Sequence, residues 1–104
     1  MDSLLKDLQK FLVDKGMTTA TSIFKGDKKY KHDGKEWSVT EDLASKYSEY
    51  VDDSTLVIVT EGLLYSILNY DSSSYLYTEF QEIFHNHGYY YEMATSWCLQ
   101  AVPE

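Results

Sequence analysis

Leu56-Val57-Ile58-Val59 is an unbroken apolar run, preceded by Asp52-Asp53-Ser54 and followed, after Thr60 and Glu61, by Gly62. Four such residues between breakers are too few for a buried helix, and they lack the polar alternation of a half-exposed strand. The run therefore predicts a central strand covered on both faces. The segments on either side have to supply the cover.

Downstream, Leu63, Leu64, Ile67, Leu68 and Tyr70 cluster on one side of a helix opening at Gly62, which leaves Tyr65 on the other side. Asp71 and the serines at 72, 73 and 74 link it to a second helix, from about Ser74 to His87, stopped by Gly88. Its stripe is Leu76, Tyr77, Phe80, Ile83, Phe84 and His87. Tyr89 to Val102 alternates, with Tyr89, Tyr91, Met93, Trp97 and Leu99 on one face and Tyr90, Glu92, Ser96, Cys98 and Gln100 on the other. This predicts one half-buried strand, bent or bulged near Ala94-Thr95-Ser96 because it exceeds the usual length.

Upstream, Leu4, Leu5, Leu8, Phe11 and Leu12 fall within about 120° on a helix, with Asp2 or Ser3 as N-cap and Gly16 as stop. The Thr-rich Met17 to Lys25 stretch predicts a strand, and Gly26-Asp27 a turn. With Asp33-Gly34 at the centre of a type I′ turn, Tyr30 lies opposite Trp37 and Lys31 opposite Glu36. Ser38 and Glu41 have capping-box spacing, and Leu43, Ala44, Tyr47, Tyr50 and Val51 repeat a helical phase, so Tyr47 and Tyr50 are expected to face inward. The order α-β-β-β-α-β-α-α-β predicts a single α+β domain over residues 1–104: a mostly antiparallel sheet of about four to five strands with helices packed on it. It lacks the regular βαβ alternation of a nucleotide-binding fold.

Composition narrows the function. A chain of 104 residues, 43% hydrophobic and 25% charged, can bury one core without disulfides or a structural metal. Cys98 stands alone, no leader-like stretch is present and no apolar run approaches the roughly 18 residues of a membrane span, so a reducing cytoplasm is expected. All nine basic residues are lysines between Lys6 and Lys46, and from Tyr47 onward nine carboxylates meet no lysine or arginine. An acidic chain without arginine does not suit direct contact with DNA or RNA phosphates.

The chemical motifs are weak. His85 and His87, two apart on a helix, point about 200° from each other and cannot converge on one ion. Cys98 has no readable base partner and reads as a small core residue. Val59-Thr60-Glu61-Gly62 is a strand-to-helix turn that carries a glutamate where a phosphate site carries glycines and lysine. The lysines 25, 28, 29, 31 and 35 around Tyr30 and Trp37 are diluted by Asp27, Asp33 and Glu36 and read as a solvated hairpin. No catalytic residue, metal or cofactor is expected.

Tyrosine remains. Nine of the ten tyrosines lie in the acidic part, and phase puts Tyr65, Tyr75 and Tyr90 off the apolar faces. With Glu61, Asp71, Glu79, Glu82 and Glu92 they form the expected partner-binding set, because tyrosine supplies rigid contact area with a hydroxyl handle. The expected function is a non-enzymatic interaction module docking a basic or amphipathic protein, or its own copy. One version is an inhibitor whose acids imitate nucleic-acid phosphates. The alternative is a small-molecule-binding domain or modest enzyme with a cleft lined by Tyr70, Tyr77, His87, Tyr91 and Cys98.

Overall fold

A computed structural model describes all of residues 1–104. The elements are helix α1 (Asp2–Asp14), strands β1 (Thr21–Lys25), β2 (Lys28–His32) and β3 (Trp37–Glu41), a 3₁₀ turn (Ala44–Lys46), strand β4 (Leu56–Thr60), helices α2 (Leu63–Tyr70) and α3 (Tyr75–Asn86), and strands β5 (Tyr89–Thr95) and β6 (Cys98–Pro103). The strands form one antiparallel sheet in the order β3-β2-β1-β4-β6-β5. The α+β class is as expected, but the strands number six, not four to five.

Leu56 to Val59 do lie inside the sheet, and alternation splits them between two cores. Leu56 and Ile58 join Leu4, Leu8, Phe11 and Leu12 of α1, Leu64 and Ile67 of α2, and Phe80 and Phe84 of α3. On the reverse face Val57 packs with Phe24, Ala44 and Cys98. Helices cover one side and the 42–55 segment covers the other, which is why the run has no polar position. Between β1 and β4 the Thr21 and Thr60 hydroxyls, both buried, satisfy each other at 2.8 Å.

α1 ends as its sequence implies. Gly16 has φ +67, its amide bonds to the Val13 carbonyl at 3.1 Å and the Met17 amide to the Leu12 carbonyl at 2.8 Å, with both Leu12 and Met17 buried. That is a Schellman ending with its apolar contact. The Ser74 hydroxyl caps α3 by accepting from the Leu76 amide at 3.1 Å.

Three expectations need correction. Residues 38–51 are not a helix. Trp37–Glu41 pairs with β2, only Ala44–Lys46 makes a helical turn, and Tyr47 and Tyr50 are 43% and 66% exposed. The Tyr47 ring lies on Phe24 with centroids 5.5 Å apart, and its hydroxyl donates to Asp42 Oδ2 at 2.6 Å. Above all that hydroxyl holds the Asp42 carboxyl below the usual carboxylate range, against desolvation, with Lys46 adding to it at 3.3 Å. The segment is thus clamped flat on the sheet.

The β2–β3 register is the second correction. His32 faces Trp37 and Tyr30 faces Val39, two residues from the expected pairing. The loop spans 33–36, held by Asp33 Oδ1, which accepts from the Lys35 and Glu36 amides at 2.8 and 2.9 Å. A slip of two preserves faces, so Tyr30 and Trp37 still pack against the helix-side core.

The third correction concerns Tyr89 to Val102, which is a hairpin. Tyr91 pairs with Ala101 and Glu92 with Gln100, Ser96-Trp97 turn the chain, and a bulge falls between Met93 and Thr95.

Cys98 shows no exposed surface, and burial pushes its thiol up to about 11. A thiol held protonated and covered is a poor nucleophile. The folded protein is expected to leave a disulfide reagent unreacted at pH 8 and to consume one equivalent once unfolded in urea. Stoichiometric reaction of the folded chain contradicts this packing.

Candidate functional site: a tyrosine-lined groove beside an open sheet edge

β5 is the last strand of the sheet, and nothing pairs with its outer side. Which of its backbone groups are free follows from β6. The Ala101 carbonyl accepts from Thr55 Oγ1 at 2.6 Å and the Trp97 carbonyl from the Thr60 amide at 2.9 Å, both on the β4 side. Alternation then turns Cys98, Gln100 and Val102 toward β5. Their partners Tyr90 and Glu92 point inward to that ladder, so the amides and carbonyls of Tyr89, Tyr91 and Met93 point to the open side.

Beside this edge lies a groove of about 640 Å³, lined by Tyr77, Thr78, Gln81, Glu82 and His85 of α3 and by Tyr89, Tyr90 and Tyr91 of β5. On α3, Tyr77, Gln81 and His85 recur every fourth residue, with Thr78 and Glu82 in the adjoining row, so one flank of the helix forms a wall. The floor is rigid. Tyr91 packs on Phe80 and Phe84, with centroids 5.3 Å from each, and Phe80 also meets Phe84 at 5.2 Å and Phe11 at 5.9 Å. Desolvation first, then the adjacent Tyr77 phenol, pushes the Tyr91 hydroxyl far above the usual tyrosine range, against a smaller opposite effect of Gln81. Tyr91 therefore stays neutral at any physiological pH.

The expected partner-binding residues divide. Glu82 and Tyr90 line the groove, and Glu92 is exposed on the same strand. Glu61 and Asp71 are exposed before and after α2, and Tyr65 is half-buried against Tyr70, their rings edge-on at 6.1 Å. Tyr75 and Glu79 sit on the α1 side of α3, both beside Lys15, which is 5.6 Å from the Tyr75 ring and 3.4 Å from Glu79 Oε2. Glu79 is the one carboxylate beyond Tyr47 with a lysine within 4.0 Å; the acids of the first part hold most of the lysines.

The alternative cleft does not assemble from its five residues. Tyr77 and Tyr91 meet in the groove. Tyr70 is 78% exposed at the end of α2, and Cys98 is buried on the opposite face of the sheet. His87 turns to α1, its Nε2 2.7 Å from Asp7 Oδ2, while His85 Nδ1 lies 2.7 Å from Glu104 Oε2. The two imidazoles thus diverge, as their spacing on a helix requires.

Sequence reasoning missed Thr78, Gln81, His85 and Tyr89 as lining residues. The four-residue spacing along α3 and the run Tyr89-Tyr90-Tyr91 carried the signal, but only the hairpin makes β5 an edge. No helix is long and apolar enough to cross a membrane. Comparison with family models, curated proteins and solved structures finds no match. The site's own geometry is the basis for reading it.

Proposed function

We propose that this protein is a non-enzymatic interaction module that receives an extended, basic or amphipathic segment of a partner protein along the open edge of β5. The segment's backbone pairs with Tyr89, Tyr91 and Met93, and its side chains enter the adjoining groove. Strand addition of this kind takes affinity from main-chain hydrogen bonds and selectivity from alternate side chains.

The observation that carries the reading is the juxtaposition of a free edge with a carboxylate-bearing aromatic groove. Edge strands are ordinarily guarded by lysine or proline. β5 has neither, and its bulge protects only the stretch beyond Met93. With a net charge of −8 overall, and with Glu82 but no lysine in the groove lining, the charge balance favours a basic segment.

Met93→Pro tests it. The substitution removes an outward amide while leaving the β5–β6 ladder intact, and proline is tolerated at such edge positions. In affinity capture from host lysate, the wild-type chain and a Met93→Thr control are expected to retain a basic protein at low salt and release it at high salt. Met93→Pro, with an unchanged circular dichroism spectrum, is expected to retain none. Equal retention by Met93→Pro overturns edge docking, and so does retention indifferent to salt.

A further inference from the structure

Two of the six tyrosines outside the groove, Tyr47 and Tyr75, carry a lysine over the ring, whereas the exposed Tyr50 and Tyr70 do not. Lys29 Nζ lies 5.0 Å from the Tyr47 ring centroid, and Lys15 Nζ lies 5.6 Å from that of Tyr75. These two exposed rings are each supplied with a cation by the chain itself. None of the nine lysines stands over Tyr77, Tyr89, Tyr90 or Tyr91, or lines their groove.

We infer that the groove is a receptor for an arginine side chain, supplied by the docking segment proposed above. The reasoning is one of complementary chemistry. Phenol rings attract a cation over their faces. Glu82 adds a carboxylate with no lysine within 4.0 Å, and the Gln81 carbonyl, the Thr78 hydroxyl and the neutral Tyr91 phenol add acceptors. A guanidinium is flat, stacks on aromatic faces, carries five donors and is more weakly hydrated than an ammonium, so it matches this lining better than lysine does. The floor that presents Tyr91 is fixed by Phe80 and Phe84. The receiving geometry therefore exists before the ligand arrives, which limits the ordering cost of binding.

This inference rests on the docking reading for its biological context, and its test does not. N-acetyl-L-arginine N′-methylamide is titrated into protein labelled on the tyrosine rings and followed by two-dimensional NMR. Ring resonances of Tyr77, Tyr89 and Tyr91 are expected to shift, with affinity at least about fivefold higher than for the neutral, isosteric citrulline compound. The lysine analogue is expected to bind more weakly than the arginine one. Glu82→Gln is expected to weaken the arginine probe and leave the citrulline probe unchanged. Equal affinity for arginine and citrulline overturns the assignment, as does equal affinity for lysine, or shifts confined to Tyr47 and Tyr75. Such a failure leaves the Met93→Pro capture result standing. Conversely, a failure of capture leaves a positive titration standing.

Discussion

Phe80→Ala lowers the free energy of unfolding by about 3–5 kcal/mol, the range for deleting a fully enclosed aromatic ring. Phe80 shows no exposed surface, and its ring joins Phe11 of α1, Phe84 of α3 and Tyr91 of β5. Its removal strips one partner from each of three elements at once, and no neighbour can close the space without abandoning another contact. Domains of this size are stable by only about 5–15 kcal/mol, so the variant loses a large share of its margin. Urea titration gives the value, the midpoint falling with little change in slope. Phe80→Leu keeps most of the volume and is expected to cost markedly less. A loss under about 1 kcal/mol for the alanine variant contradicts the packing described. The same substitution frees the Tyr91 ring and is expected to blunt the arginine-probe response of the groove.

Gly62→Ala is the second large effect, and it arises from contact. Gly62 has φ −98, which any residue adopts, yet a Cβ built there meets the Thr19 carbonyl oxygen at 2.3 Å. That carbonyl has little room to retreat. The Glu61 amide bonds to the Ala20 carbonyl at 2.9 Å, and Ala20 itself is held at φ +55, a conformation L-residues avoid. The expected cost is about 1–3 kcal/mol, typical of overpacking. Gly62→Ser sharpens the test. At the N-cap of α2 a serine ordinarily helps by bonding a free amide; here it is expected to lower stability along with alanine. One kcal/mol corresponds to roughly 4–8 °C in Tm for a domain of this length. An unchanged melting temperature for both variants contradicts the close approach of the 19–20 loop.

Where local signals agreed with tertiary context, the fold was readable in the sequence. The stripe of α1, the Gly16 stop, the apolar run of β4 and the Ser74-to-Gly88 span of α3 are each found in place. The expected Asp2 or Ser3 cap is not: α1 starts at Asp2 behind Met1 with no side-chain cap bond. Residues 38–51 misled because Leu43, Ala44, Tyr47, Tyr50 and Val51 share a helical phase by coincidence, while Trp37, Val39 and Thr40 are strand formers whose partner strand lies next to them. Pairing with β2 outweighed an isolated capping box. The C-terminal hairpin was invisible for another reason. Ser96-Trp97 lacks the Asn, Asp or Gly of the favoured tight turns, and neither residue has positive φ. The adjacent bulge between Met93 and Thr95 accommodates the turn instead. With the hairpin unseen, the edge character of β5 was also unseen. The tyrosine and carboxylate composition pointed to the half of the sequence that lines the groove, and only topology separated the groove's residues from the scattered remainder.

β6, near the end of this sequence, is threaded between β4 and β5 rather than laid along a margin. As the chain emerges from the ribosome, neither core can close until residues 98–103 have been made. Leu99 and Ala101 complete the helix-side core, and Cys98 completes the reverse one. During synthesis, Leu56 to Val59 therefore wait with one flank bare. Acquisition of structure is accordingly expected to be a single late event, rather than a stepwise one from the amino terminus.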